Sequence, residues 1–150
     1  MKKILLLGIL LLGMASCTFN STSVGSTSKT ITVKVGTYDW KLTNENNNNY
    51  YYCGLDLSSI TGNVFDKGEV KAYLVKDRND INYARKHALP YVLHKEEYVN
   101  GEWVFYTETI DFTYGIGWIE LNFRASDFAY ELGVNPNFQD MEFDIVITRP

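Results

Sequence analysis

The stretch LPYVLHKEEYVNGEWVFYTETIDF, residues 89–112, decides the fold. In it, Asn100 and Gly101 stand between two runs rich in aromatic and β-branched residues, at 89–96 and 102–112. An Asn-Gly pair between two such runs favours the tight turn of a β-hairpin, because both residues tolerate positive φ. The sequence therefore predicts a long antiparallel hairpin in this part of the chain.

Short alternating runs on either side of the hairpin predict further strands. Side chains of a strand point to alternate faces, so apolar Ile119, Leu121 and Phe123 mark the buried face of one of them. The asparagine-rich segment 44–49 and the polar segment 77–86 predict loops between strands. The remaining strands are predicted at 31–35, 39–42, 50–57, 69–76, 118–125 and 141–147.

Strands of this length and spacing are typical of a two-sheet architecture. The segment 58–68 is expected to be a connection, and Ser126 and Asp127 can cap a short helical turn that ends near Leu132. We expect an all-β fold, an antiparallel β-sandwich (Ig-like or jelly-roll-like) with about 7–9 strands and at most one short helical turn.

The N-terminus is similar to the signal peptide of bacterial lipoproteins. Two lysines precede an apolar run at 4–12, which is too short for a bilayer span of about 20 residues. Small residues at 15 and 16 lead to Cys17. The resemblance implies cleavage before Cys17 and lipidation of its sulfur. The alternatives are an ordinary cleaved signal with an incidental cysteine and an uncleaved anchor helix.

Three segments follow from this interpretation. Residues 1–16 are the signal peptide, residues 17–29 are the lipidated cysteine and a tether, and residues 30–150 are the β-sandwich domain. The tether is expected to be flexible because seven of residues 18–29 are Ser or Thr. The expected location is the bacterial cell envelope, on the outer membrane, with the domain close to the bilayer.

The charge balance argues against a polyanionic partner. The 14 basic residues minus Lys2 and Lys3 leave 12 against 18 acidic residues, a net charge of −6 for the mature chain. These basic residues are scattered along the chain, whereas nucleic-acid-binding domains concentrate them in a stripe. We therefore expect no nucleic-acid partner, and contact with the membrane through the lipid on Cys17.

The sequence predicts neither a metal site nor an enzyme. His87 and His94 are seven residues apart, which places them on opposite faces of a strand, and no ligand pattern accompanies them. Cys53 falls on the apolar face of its strand and is expected to be a buried packing residue. No cofactor motif occurs. Carboxylates that could form a glycosidase pair by count alone are Glu96, Glu97, Glu102, Glu108 and Asp111.

Aromatic residues predicted to point outward offer a possible ligand or partner surface. They are Trp118, Tyr50, Tyr52, Tyr73 and Trp103. The outward position of Trp103 requires Val104, Tyr106 and Ile110 to point inward, which also buries Glu108. Flat rings suit sugar faces and protein interfaces. The alternative is that these residues form cross-strand pairs that stabilise the sheets.

The chain resembles small β-sandwich lipoproteins of the Bacteroidetes type. The resemblance is carried by Val33 followed by Asp39-Trp40, by Leu89-Pro90-Tyr91, by Thr107-Glu108-Thr109-Ile110-Asp111, by Gly117-Trp118-Ile119-Glu120, by Ser126-Asp127-Phe128 and by the terminal strand from Phe143 to Ile147. It implies a lipid-anchored sandwich and transfers no activity. Some relatives carry a glycine-rich, collagen-like stretch after the lipidated cysteine, and this chain has the Ser/Thr segment instead.

Three functions fit these observations. The first is a non-catalytic, membrane-anchored module that binds a protein partner or a glycan. The second is a structural or assembly component of an envelope complex, for which a bare strand edge would be the sign. The third is a small hydrolase, which would need a cleft with two carboxylates about 5–10 Å apart. The sequence favours the first function.

Overall fold

The computed structural model describes residues 19–24, 27–45, 48–136 and 138–150. These residues form ten strands, one short helix and one 3-10 turn. The elements are β1 (Phe19–Val24), β2 (Ser28–Val35), the 3-10 turn (Thr37–Asp39), β3 (Lys41–Glu45), β4 (Asn48–Asp56), α1 (Gly62–Lys67), β5 (Glu69–Lys76), β6 (Arg85–Ala88), β7 (Tyr91–Val99), β8 (Glu102–Gly115), β9 (Trp118–Ala125) and β10 (Met141–Thr148).

The strands form two five-stranded antiparallel sheets. Sheet A has the order β1-β2-β10-β5-β6, and sheet B has the order β3-β4-β9-β8-β7. The chain crosses between the sheets after β2, β4, β6 and β9, so each sheet is built from separated parts of the sequence. The predicted all-β antiparallel sandwich is confirmed.

The core lies between the two sheets and follows the alternation of the strands. Val33, Phe143 and Ile145 of sheet A and Ile119 and Leu121 of sheet B are fully buried in one hydrophobic cluster. Burial of such side chains contributes roughly 1.5–3 kcal/mol each. The inward face predicted for β9 is confirmed, and Cys53 is buried in the same cluster, as predicted.

The predicted hairpin is the longest element of sheet B. Strands β7 and β8 are paired from Tyr91↔Ile110 to Val99↔Glu102. Asn100 and Gly101 have φ of 51° and 93°, and this pair of positive values is what a type I′ turn requires. The predicted bounds of β5 and β9 also agree with the structure.

The structure differs from the predicted flexible tether at residues 19–24. Residues 19–24, predicted to be flexible, form β1, which pairs with β2 from Phe19↔Val33 to Val24↔Ser28. A strand at a sheet edge is held by backbone hydrogen bonds, so Ser and Thr can form it without an apolar face. The predicted signal peptide at 1–16 and Cys17 lie outside the described residues.

The connections also differ from the prediction. The segment 77–86 contains the start of β6, the segment 58–68 contains α1, and β3 and β4 extend into the asparagine-rich segment 44–49. The predicted helical turn after Ser126 is a non-helical turn, because Asp127 and Phe128 adopt positive φ of 57° and 53°. The edge strands β1 and β6 were not predicted, and they bring the strand count to ten, above the predicted range of 7–9.

Candidate functional site

The outer face of sheet B presents an aromatic and polar surface that faces away from the core. Trp118 and Tyr52 are both on this face, since their neighbours Ile119 and Cys53 point into the core. In the strand register, Trp118 lies opposite Asp56 and Tyr52 lies opposite Asn122. This offset of four residues separates the two aromatic residues by about 13 Å along the strands.

The indole of Trp118 lies against the backbone of Gly115 on the neighbouring strand. A Cβ atom at position 115 would come within 2.6 Å of the indole Nε1 and Cε2 atoms, so only glycine leaves room for the ring. Trp118 nevertheless remains 44% exposed. The ring is therefore held close to the sheet surface and keeps an open side towards solvent. An isolated glycine within a strand often marks such a close approach.

A second glycine leaves part of the surface between the two aromatic residues without a side chain. Gly54 lies between Tyr52 and Asp56 on β4, is exposed, and has no atom within 4 Å of the place where a Cβ would be. Its cross-strand neighbour is Glu120, which is partly exposed. The missing side chain at Gly54 leaves a shallow depression beside Glu120, between Tyr52 and Trp118.

A buried amide lies next to the depression, on the outer side of β9. Asn122 lies between Tyr52 and Asp111 in the register of the three strands. It is 0% exposed, and neither its amide nitrogen nor its amide oxygen has a hydrogen-bond partner among the described residues. A buried polar group without a partner costs about 1–3 kcal/mol, so this position is unfavourable in the isolated protein.

Tyr50 belongs to the same face by its position but is covered by Arg124. The guanidinium carbon of Arg124 lies 3.9 Å from the centre of the Tyr50 ring, and its Nε atom lies 3.4 Å from Asp111 Oδ2. Tyr50 is therefore buried, and its ring offers no open surface. Together these groups close the end of the depression that lies beyond Tyr52.

The structure separates Trp103 from the other aromatic residues. Trp103 lies near the tip of the β7–β8 hairpin and Trp118 pairs with Gly115 at the other end of β8, about 40 Å away along the strand. Trp103 makes an edge-to-face contact with Tyr98, with ring centres 5.4 Å apart. This is the cross-strand pair that the alternative interpretation predicts.

Tyr73 lies on sheet A, so the five predicted residues do not share one surface. Its cross-strand partner is Asp144, which is buried on the outer face of that sheet. Thr32 Oγ1 donates to Asp144 at 2.7 Å, Arg78 Nη2 at 2.6 Å and Lys86 Nζ at 2.7 Å. Burial raises the pKa of Asp144, but these three donors outweigh it and hold the pKa below its usual value.

The carboxylates that could form a glycosidase pair also lie on different faces of the sheet. Glu108 points inward and is buried beside Lys95, whereas Asp111 lies on the outer face of the same strand. The inward position of Glu108 agrees with the alternation predicted for β8. His87 lies on β6 of sheet A and His94 on β7 of sheet B, and no group of three potential metal ligands occurs within the described residues.

Parity along the strands predicts which residues face outward, but two residues of the depression were missed. Gly54 and Gly115 shape it. Gly54 was an isolated glycine within the predicted strand 50–57, which was the available signal, whereas Gly115 lies beyond the predicted end of its strand at residue 112. Within the described ranges, no helix has the length and apolar character needed to cross a bilayer.

Comparison with protein-family models gives no match, and neither curated proteins nor solved structures give a significant one.

Proposed function

We propose that this protein is a non-catalytic glycan-binding module of the bacterial cell envelope. The observation that carries the proposal is the indole of Trp118, which rests on Gly115 with an open side and shares its sheet face with Tyr52 and the exposed backbone of Gly54. Sugar rings have apolar C–H faces that stack on aromatic rings and hydroxyl groups that hydrogen-bond to polar side chains. The length of the depression suits a short oligosaccharide better than a single sugar.

The polarity of the face supports a glycan in preference to a protein partner. The centre of a protein interface is usually apolar and depleted of charged residues. Here Glu120 lies beside Gly54 between the two rings, and its neighbours on the same face are Thr113 and Asn122. Asn122 is fully buried, so a glycan hydroxyl that binds its amide must first displace the side chains that cover it.

Binding without hydrolysis is favoured by the state of the carboxylates on this face. A glycosidase needs one carboxyl group whose pKa is raised by burial so that it can act as an acid. Asp111 is instead ion-paired on the open sheet surface, with 3.4 Å between its Oδ2 atom and Arg124 Nε. The depression is also an open sheet surface, which does not exclude water.

We further propose that the module is anchored through a lipid on Cys17, following signal cleavage before this residue. Because β1 begins at Phe19, at most about 7 Å of extended chain would separate the lipidated residue from the sandwich. The domain would then sit directly on the membrane, without the flexible reach that the sequence predicts. Incorporation of radiolabelled fatty acid into the wild-type chain, and its loss in Cys17→Ser, tests the anchor.

A glycan array tests the binding function, followed by titration calorimetry on the glycans that bind. Trp118→Ala is expected to lower the affinity at least tenfold, because stacking on the indole is lost. Trp103→Ala is the matched control, since this tryptophan is also exposed but lies at the hairpin tip, and it should bind normally. Absence of binding by the folded protein, equal losses in both variants, or cleavage of the bound glycan would overturn the proposal.

A further inference from the structure

A cleft of about 830 Å³ opens between the two sheets, on the side of sheet B that faces away from the glycan depression. It lies where β5 ends in the loop 77–84 and where β10 begins, and β7 and β8 form its opposite wall. Ligand sites in proteins typically have volumes of about 300–1,000 Å³. The cleft therefore has the size of a small-molecule site.

The inner end of the cleft is apolar. Leu74, Ile110 and Phe123 line it and are buried in the main hydrophobic cluster, and Met141 packs against that cluster. An apolar group of a ligand that reaches this end would be removed from water, with a gain of roughly 25 cal/mol for each Å² of apolar surface. The cleft is thus suited to a ligand with a compact apolar body.

The wall of the cleft contains a buried carboxylate. Glu108 is 4% exposed and is ion-paired with Lys95, with 3.3 Å between Lys95 Nζ and Glu108 Oε2. A buried carboxylate needs a cation near it, because an unpaired buried charge is strongly unfavourable. Tyr106, on the same strand as Glu108, stays neutral. Burial is the largest cause that raises its pKa to about 12, and the negative charges of Glu108 and Glu97 add to it.

The ion-pair partner of Glu108, Lys95, has a flexible and partly exposed side chain. Lys95 lies on β7, the edge strand of sheet B, and its side chain is 44% exposed. A lysine ammonium on a flexible four-carbon stem can move into solvent, but the buried charge of Glu108 then needs another cation to compensate it. Lys95 can therefore leave Glu108 when another cation takes its place.

The other charges of the cleft also favour a cationic ligand. Besides Lys95, the cleft has two basic residues, and both have other partners. Arg78 binds Glu142 and Asp144, and Lys76 lies over the ring of Tyr91 at 5.0 Å. Acidic residues outnumber basic ones in the lining. The acidic residues are Asp77, Asp80, Glu108, Asp140 and Glu142, and the basic ones are Lys76, Arg78 and Lys95.

We propose that this cleft binds a small organic cation, with its ammonium group paired to Glu108 and its apolar body against Ile110 and Phe123. Lys95 holds the place of the ligand's ammonium group in the unliganded protein and is displaced on binding. The site is separate from the glycan depression, because Glu108 points inward and Trp118 outward on sheet B. It does not depend on the proposed glycan binding.

Three probes with similar bodies and different heads test the proposal on the full-length protein in neutral detergent. They are cyclohexylmethylammonium, cyclohexanecarboxylate and cyclohexylmethanol. Binding of each probe is measured by NMR titration of the protein. We expect binding of the ammonium probe alone, with chemical-shift changes at the cleft. Binding of the carboxylate, equal binding of all three, or no binding would overturn the proposal.

Two substitutions separate the roles of the ion pair. Glu108→Gln is expected to weaken binding of the ammonium probe at least tenfold, whereas Lys95→Met should strengthen it severalfold because no internal cation competes. Glu102→Gln, an exposed position on the same strand, is the control and should bind like the wild type. Leu93→Trp fills the cleft, retains Glu108 and should abolish binding in a folded protein. Unchanged affinity in Lys95→Met or in Leu93→Trp would contradict the proposed site.

Discussion

Replacing Asn122 by leucine is expected to stabilise the protein and to weaken glycan binding. The side chain is 0% exposed at the centre of sheet B, and both of its amide atoms lack partners among the described residues. Leucine has a similar volume and no polar atoms, so it removes the cost of the buried amide. It also removes the group that is proposed to bind a sugar hydroxyl.

The size of the gain follows from the burial of the amide. Leaving a buried donor or acceptor without a partner costs about 1–3 kcal/mol. The branched leucine side chain can lose up to about 1 kcal/mol of this through imperfect packing beside Tyr52 and Asp111. We therefore expect the free energy of unfolding to rise by about 1–2 kcal/mol and the melting temperature by roughly 3–10 °C.

Urea denaturation followed by circular dichroism measures the change, and m should stay the same. Thr113→Leu is the control, because Thr113 is exposed on the same face and its replacement should change stability by no more than about 0.5 kcal/mol. A loss of more than 1 kcal/mol in Asn122→Leu at unchanged m would refute the reasoning, since the amide would then have to be satisfied in the folded protein. A gain in stability with unchanged glycan affinity would remove Asn122 from the binding site.

Two further predictions concern other buried contacts. Asp144→Asn should lower the free energy of unfolding by about 1.5–3 kcal/mol at pH 7, measured by urea denaturation, because Arg78 and Lys86 lose their charged acceptor. Since the folded state lowers the pKa of Asp144, its contribution is present above the unfolded pKa of about 4 and is lost as pH falls further. The acid-dependent part of the stability should therefore shrink in the variant, and an unchanged pH profile would contradict this assignment. Gly115→Ala should displace the indole of Trp118, shift its fluorescence and weaken glycan binding several-fold while the protein stays folded; an unchanged emission spectrum would show that the ring does not rest on this backbone.

Local sequence patterns predicted much of the sandwich because its central strands follow two simple rules. Alternating apolar residues define β5 and β9, and Asn100-Gly101 defines the hairpin. The same alternation placed Glu108 inward, although a buried carboxylate is unusual, and the structure supplies Lys95 as its partner. Strands β1 and β6 carry no such pattern, since each is an edge strand held by one neighbour, β2 for β1 and β5 for β6.

The candidate site could be predicted only in part, because parity gives the face of a strand but not the sheet to which the strand belongs. Tyr52 and Tyr73 both point outward, yet the crossing of the chain after β4 places them on opposite sides of the molecule. Tyr50 has the correct parity and is covered by Arg124, a contact that requires β4 and β9 to be neighbours. These relations arise from strand order, which no local pattern encodes.

A comparison of the two outer faces explains why the binding site is proposed on sheet B. Each sheet buries one polar residue on the outer side of its middle strand, Asp144 on β10 and Asn122 on β9. Asp144 is satisfied by donors from Thr32, Arg78 and Lys86, so the outer face of sheet A needs no further group. Asn122 has no such donors or acceptors within the described part of the chain. A buried polar group without a partner calls for an explanation, and under the proposed glycan binding a sugar hydroxyl would become the partner of Asn122.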